Sequence, residues 1–176
     1  MNFLTGDFNG DPRTDLLAIN PDYFPQTRML SYPPAGASLK YRGYTYGSFA
    51  ENFWTLRAQD QMIAADINGD HRDDRIALNR PEYTSHGFPG ILRSVITNNA
   101  DTLNASWQGG WIGAWHFNSG DRIAAMSCRG NLAWDDLLIY NSNWMGLLRS
   151  QREAFTSEAI YPQWIHNHRY HALGYW

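Results

Sequence analysis

The densest chemistry in the chain lies in residues 7 to 15 and 66 to 74. Asp7, Asn9, Asp11 and Asp15 put oxygen-bearing side chains at positions 1, 3, 5 and 9 of one short loop, and Gly10 at position 4 allows a tight bend. The second stretch repeats the set as Asp66, Asn68, Asp70 and Asp74, with Gly69 in the bend. Three carboxylates and an amide crowded into nine residues repel one another without a counter-ion. Hard oxygen donors suit Ca2+, which takes about 6 to 8 of them. Two Ca2+ sites per chain are therefore expected, the backbone carbonyls of Arg13 and Arg72 at position 7 completing each shell. An EF-hand would need an acid at position 12, where Ala18 and Ala77 already belong to apolar strands, so the expected site is strand-loop-strand. The alternative is a metal-free hairpin braced by Asx turns, since Asp, Asn and Gly are ordinary turn residues. The same four residues recurring at matching offsets favour the cation.

These loops head an internal repeat. FLTGDFNGDPRTDLLAINPDY at 3 to 23 returns as MIAADINGDHRDDRIALNRPEY at 62 to 83, and in decayed form as IAAMSCRGNLAWDDLLIYNSNW at 123 to 144. Each is followed by a segment ending at Ser31, Ser94 or Ser150, and a Trp-led segment starts at Trp54, Trp115 and Trp164. One domain, 1 to 176, is thus read as three repeats of about 60 residues, near 3–61, 62–122 and 123–176. Aligning Ala65 with Ala125 places Met126 and Cys128 at the first ligand positions of the third loop, so no cation is expected there. Asp136 is expected to cap backbone N–H groups instead.

Short apolar runs such as LLAI, RIAL, LLIY and ILRSVI, bounded by Gly, Pro, Asn and Asp, read as strands. The best helical window, 150 to 160, is short and weakly patterned. The chain is expected to be all-β, with four strands of 5 to 6 residues per repeat, the strand count of a propeller blade.

Composition narrows the function. Charged residues make up 18% and aromatics 15%, with eight Trp and ten Tyr, which argues for a compact, aromatic-rich domain. Net charge is -3, and the 14 basic residues, all Arg but Lys40, are scattered, so a nucleic-acid surface is not expected. No apolar run is long enough for a membrane helix and the N-terminus lacks the features of a signal peptide, so the chain is either cytosolic or stripped of a leader. Cys128 alone makes no internal bridge and reads as a small buried filler.

The pattern GDFNGDxxxDLLAI, echoed as ADINGDxxxDRIAL with a Trp-led strand between, resembles the FG-GAP/VCBS repeats of β-propellers. Those repeats occur in integrin α-subunit heads, in secreted bacterial proteins and in propeller lectins. The resemblance covers the repeat heads, about a third of the chain, and implies a structural Ca2+ loop between the first two strands of a blade. It also implies a secreted, extracellular setting. Three blades do not close a ring, because propellers use about 4 to 8. Closure by a homodimer is therefore expected, with 2–6 and 168–176 at the interface. The alternatives are a β-trefoil, which also has three four-stranded repeats, and a portion cut from a longer propeller.

No catalytic fingerprint is present, and carboxylates committed to a cation make poor general acids, so no enzymatic activity is expected. His166, His168 and His171 have strand-like metal spacing but no acid or Cys nearby, and read as an exposed strand. Binding is the more natural role. Tyr23, Tyr83 and Trp144 follow the apolar strands beside Asn20, Asn79 and Asn141, with Asp22 or Glu82 adjacent in two repeats, and Arg93 and Arg149 recur in the second and third. A pyranose stacks its C–H face on such a ring and offers hydroxyls to Asn, acid and Arg. The alternative is that these Tyr residues cover blade edges. Trp54, Trp111, Trp115 and Trp164 are expected to pack between blades and not to stand exposed in a pocket. The expected partners are glycans or cell-surface glycoconjugates. The second reading is an adhesion or assembly module that binds protein, or the propeller portion of a secreted enzyme or toxin.

Overall fold

A computed structural model describes residues 2–19, 27–31, 40–45, 60–79, 90–96, 103–128, 134–152 and 154–162. Among these residues the protein is all-β, with no helix and therefore none long and apolar enough to cross a membrane. Sheet 1 comprises β1 (Asn2–Gly6), β2 (Asp15–Ile19), β3 (Thr27–Ser31) and β4 (Lys40–Thr45). Sheet 2 comprises β5 (Gln61–Ala65), β6 (Asp74–Asn79), β7 (Gly90–Ile96) and β8 (Leu103–Gln108). A two-stranded hairpin, β9 (Trp111–Ile112) and β10 (Trp115–His116), leads into sheet 3: β11 (Arg122–Met126), β12 (Asp136–Tyr140), β13 (Trp144–Ser150) and β14 (Phe155–Pro162). Each four-stranded sheet is an antiparallel meander in sequence order.

The first strands lie side by side, β1 against β5 and β5 against β11, so each sheet stacks its face on the next. This explains why burial in β6 does not alternate: residues 74 to 78, Asp74 and Arg75 among them, are buried throughout, because sheet 2 is covered on both faces. The largest core lies between sheets 2 and 3, where Ile76, Leu78 and Ile91 meet Ile123, Leu137 and Leu148, with Ile112, Trp115 and Phe117 of the hairpin segment filling one end. Each such Ile or Leu contributes about 1.5–3 kcal/mol relative to leaving it exposed.

The weak helical window at 150–160 holds no helix, in line with the all-β reading: it spans the end of β13 and the start of β14, where buried Phe155 alternates with exposed Thr156. The structure departs from the sequence reading in several places. Register places Met126 opposite Asp136 as Ala65 stands opposite Asp74, so Met126, not Ala125, is the counterpart of Ala65. The third loop is consequently one residue longer than the others, not two. Cys128 is exposed, not buried. Trp115 is buried as expected, but Trp111 is 62% exposed, since the hairpin alternates sides and can bury only one tryptophan of the two. Trp54 and Trp164, the histidines at 166, 168 and 171, and residues 168–176 lie outside the described residues, while 2–6 form β1.

Candidate functional site

The two acidic loops share one construction. The backbone N–H groups of Gly10 and Asp11 donate to Asp7 Oδ1 (2.7 and 3.1 Å), that of Asp11 to Asn9 Oδ1 (2.9 Å) and that of Arg13 to Asp11 Oδ1 (3.1 Å). In the second loop Gly69 and His71 donate to Asp66, Asp70 to Asn68 Oδ1 and Arg72 to Asp70 Oδ1. Asp15 and Asp74 are buried and brace the loops from beneath. Each accepts from the second loop residue, Phe8 or Ile67 (3.0 and 3.1 Å), and from the amide of Asn9 or Asn68 (3.0 and 3.3 Å). Gly10 and Gly69 sit at φ 79° and 81°, the left-handed region their positions were expected to need.

Every candidate ligand in these loops is a hard oxygen, which fits a calcium ion in donor type. The same oxygens already close the loops through hydrogen bonds, and among the described residues no three His, Cys, Asp or Glu side chains form a metal-ligating group.

Sequence spacing gave no role to Asp73 and Asp135, yet these two lock neighbouring sheets together. Asp73 N donates to Asp7 O and Asp7 N donates to Asp73 Oδ2, both at 2.7 Å; Asp135 N donates to Asp66 O. Burial pushes the Asp73 carboxyl above the usual carboxylate range, the Asp7 N–H pulls it partly back, and the charges of Asp7 and Asp66 raise it further. Asp135 is raised by burial and by Asp73. The folded protein thus holds the Asp73 proton more tightly than the unfolded chain does. The stabilisation from protonation is complete below about 3.9 and is lost as pH rises through the raised value. In chelator, Asp73→Asn should melt above the parent at pH 7, with the difference shrinking toward pH 4. An equal difference at both pH values would show that the carboxylate charge is not the cause.

The aromatic and amide side chains converge elsewhere, in a cavity of about 380 Å³ lined by Ala114, Trp115, His116, Asn118, Asn141, Trp144 and Ile160. Its organiser is Asp121, which is buried at the start of β11. Asp121 Oδ2 accepts from the Trp115 indole N–H (3.0 Å) and the Asn118 N–H (2.8 Å), and Oδ1 accepts from the Asn141 amide (2.7 Å). With its nitrogen held there, Asn141 turns Oδ1 to the N–H groups of Asn143 and Trp144, both at 2.9 Å. That Asx turn closes the β12–β13 hairpin and fixes where Trp144 stands, 45% exposed at the rim. The Trp115 ring comes close to β13 because residue 146 is glycine; a Cβ there would fall 2.7 Å from the ring. Beside the rim, Trp111 stacks on His116 with centroids 4.1 Å apart and planes 21° apart.

Of the residues expected to bind ligand, Trp144 lines this cavity. Asn79 and Arg93 lie in β6 and β7, with their side chains outside the described residues, as are Tyr23, Tyr83 and Glu82 altogether. Arg149 stands five residues along β13 from Trp144, about 17 Å at the usual rise per strand residue, and is paired with Glu158. Register also separates the two arginines: Arg93 is opposite Ile76, whereas Leu138, the counterpart of Ile76, is opposite Leu147. Asp136 does cap a backbone N–H, that of Ser150 in β13 (2.9 Å). His116, Asn118, Asp121 and Ile160 were missed; the sequence signal available was Asp121 three residues after Asn118, the spacing of a side chain capping a turn.

No protein-family model matches the chain, and no curated protein matches it. Among solved structures it is similar to a lectin of Agrocybe aegerita described as specifically recognising non-reducing terminal N-acetylglucosamine, with a TM-score of 0.58 and 11% identity. The match covers 92% of this chain and 37% of that one, so the chain spans little more than a third of the lectin's length. At this identity the likeness is one of fold: an all-β chain of small antiparallel sheets arranged as in part of a lectin.

Proposed function

We propose that the protein binds carbohydrate in the Asp121 cavity without catalysing a reaction, its three four-stranded sheets serving as propeller blades. The observation that carries this reading is Trp144. It is a large aromatic face left 45% exposed beside a cavity of about 380 Å³, on a turn fixed by a buried carboxylate and an Asx hydrogen-bond pair. Stacking on the C–H face of a pyranose, with hydrogen bonds from His116, Asn118 and Asn141, is the use such a rim supports. The fold likeness to a lectin points the same way. The exposed Trp111 favours a second reading, a protein-binding adhesion surface, because tryptophan is enriched at the centres of such interfaces.

Calcium is proposed at the two acidic loops, held by Asp7, Asn9 and Asp11 and by Asp66, Asn68 and Asp70, where it would offset the Asp7 and Asp66 charges that add to the effect of burial on Asp73. A broad glycan array, run with calcium and with EDTA, tests both parts. Sugar binding with calcium is expected, together with a melting temperature several degrees lower in EDTA, since saturation at about 100 times Kd adds roughly 2.7 kcal/mol per site. An array without signal would sink the sugar reading in favour of adhesion. An unchanged melting curve would sink calcium alone.

A further inference from the structure

Register identifies equivalent positions in the three sheets, and their burial differs in one consistent way. Phe8 and Ile67 are buried, while Cys128, at the same place after the first strand, is exposed. Ala65 is buried and its counterpart Met126 is 38% exposed; Leu17 and Ile76 are buried and Leu138 is only half-buried. These positions face the following sheet. The converse holds on the other face: Arg75, Ala77, Leu137 and Ile139 are buried against the preceding sheet, whereas Leu16 and Ala18 are half-buried and Phe3, opposite Ala18, is 61% exposed.

The joint between sheets is also built twice from the same parts. A backbone N–H of the following sheet, Asp73 or Asp135, donates to the first loop carbonyl of the preceding one, Asp7 or Asp66. The neighbouring side chain, Arg72 or Trp134, lies over the bend glycine, Gly10 or Gly69. Among the described residues no third joint of this kind forms: Ser127 stands at the socket position of sheet 3, where Asp7 and Asp66 stand in the others, and Thr14 at the plug position of sheet 1, where Asp73 and Asp135 stand.

We propose that a second copy of the chain fills both, the outer face of sheet 3 docking on the outer face of sheet 1 in each direction to give a closed two-fold dimer of six sheets. The occupant is argued from continuity with a joint already used twice within the chain. Two copies are the number that bring blades of this kind into the range of about 4 to 8 that closes a ring. The inference rests on the blade reading and is independent of the sugar site.

Light scattering at micromolar concentration should give twice the 20.2 kDa of the chain. Phe3→Asp and Leu138→Lys should each be monomeric, because either one damages both joints. Mixed, they should form a dimer again, with one joint unaltered and the other setting Asp opposite Lys. Cys128 should resist thiol labelling in the parent and become labelled in either single variant. A monomeric parent, a dimer indifferent to Leu138→Lys, or two variants that fail to complement would each overturn the proposal. Should a variant fail to fold, rapid labelling of Cys128 in the parent would overturn it alone, and array binding by such a parent would leave the sugar site standing.

Discussion

Trp144→Ala should abolish glycan-array binding while moving the melting temperature little. A monosaccharide held by one stacking ring and a few hydrogen bonds in an open cavity binds with about 4–6 kcal/mol, high micromolar to millimolar. Removing the ring removes about 2 kcal/mol of apolar contact, a factor of roughly 30. That carries a weak interaction beyond detection. Stability is spared because Trp144 is 45% exposed and its backbone, not its ring, closes the turn. Trp144→Phe should recover part of the binding. Parent-like binding by the alanine variant would remove Trp144, and with it the cavity, from the sugar reading.

The largest loss of stability is expected from Asp121→Ala. It strands the Trp115 indole N–H, the Asn118 N–H and the Asn141 amide, all of which donate to one buried carboxylate. Hydrogen bonds to a charged group contribute about 1.5–3 kcal/mol each, and as a shared network they sum to less than three times that, about 3–5 kcal/mol. For a chain of this size the melting temperature should fall by roughly 10 °C. Binding should also be lost well below the new melting temperature, because Asn141 no longer fixes the Trp144 turn. A stable variant with intact binding would show that packing around Trp115 positions the rim unaided.

The repeating chemistry was legible in the sequence because it is local. A carboxylate that closes a loop on its own backbone must sit a fixed few residues away, as Asp7 does to Gly10 and Asp15 to Phe8. The bends at Gly10 and Gly69 advertise themselves by residue type, whereas the positive φ of Pro12 and His71 in the same loops does not. What was hidden joins residues distant along the chain. Asp73 looks like a spare acid beside Asp74 until sheet 1 stacks on sheet 2 and Asp7, 66 residues earlier, arrives to meet it. The cavity draws on the β9–β10 hairpin, the β12–β13 turn and β14, so no single window carries its pattern. Trp111 and Trp115 look interchangeable as letters, and only the two-residue turn between β9 and β10 decides which of them faces water. Cys128 was expected inside as a small apolar filler; it is exposed, and no described sheet follows its own.

The stacking of the sheets also sets how the molecule breathes. Each meander is assembled from near neighbours in sequence, whereas the joints between sheets link residues some 60 to 80 positions apart. Opening is therefore expected sheet by sheet, with a stability that depends on how many neighbours each sheet has. In a monomeric variant such as Phe3→Asp, sheet 2, flanked on both sides, should exchange its amide hydrogens last, slowest of all in β6, where residues 74 to 78 are wholly buried. Sheets 1 and 3 should there exchange first, by fraying from the faces that no other described sheet covers, whereas closure of the parent dimer should level that gradient, and deuterium uptake resolved by peptide would read out the difference directly.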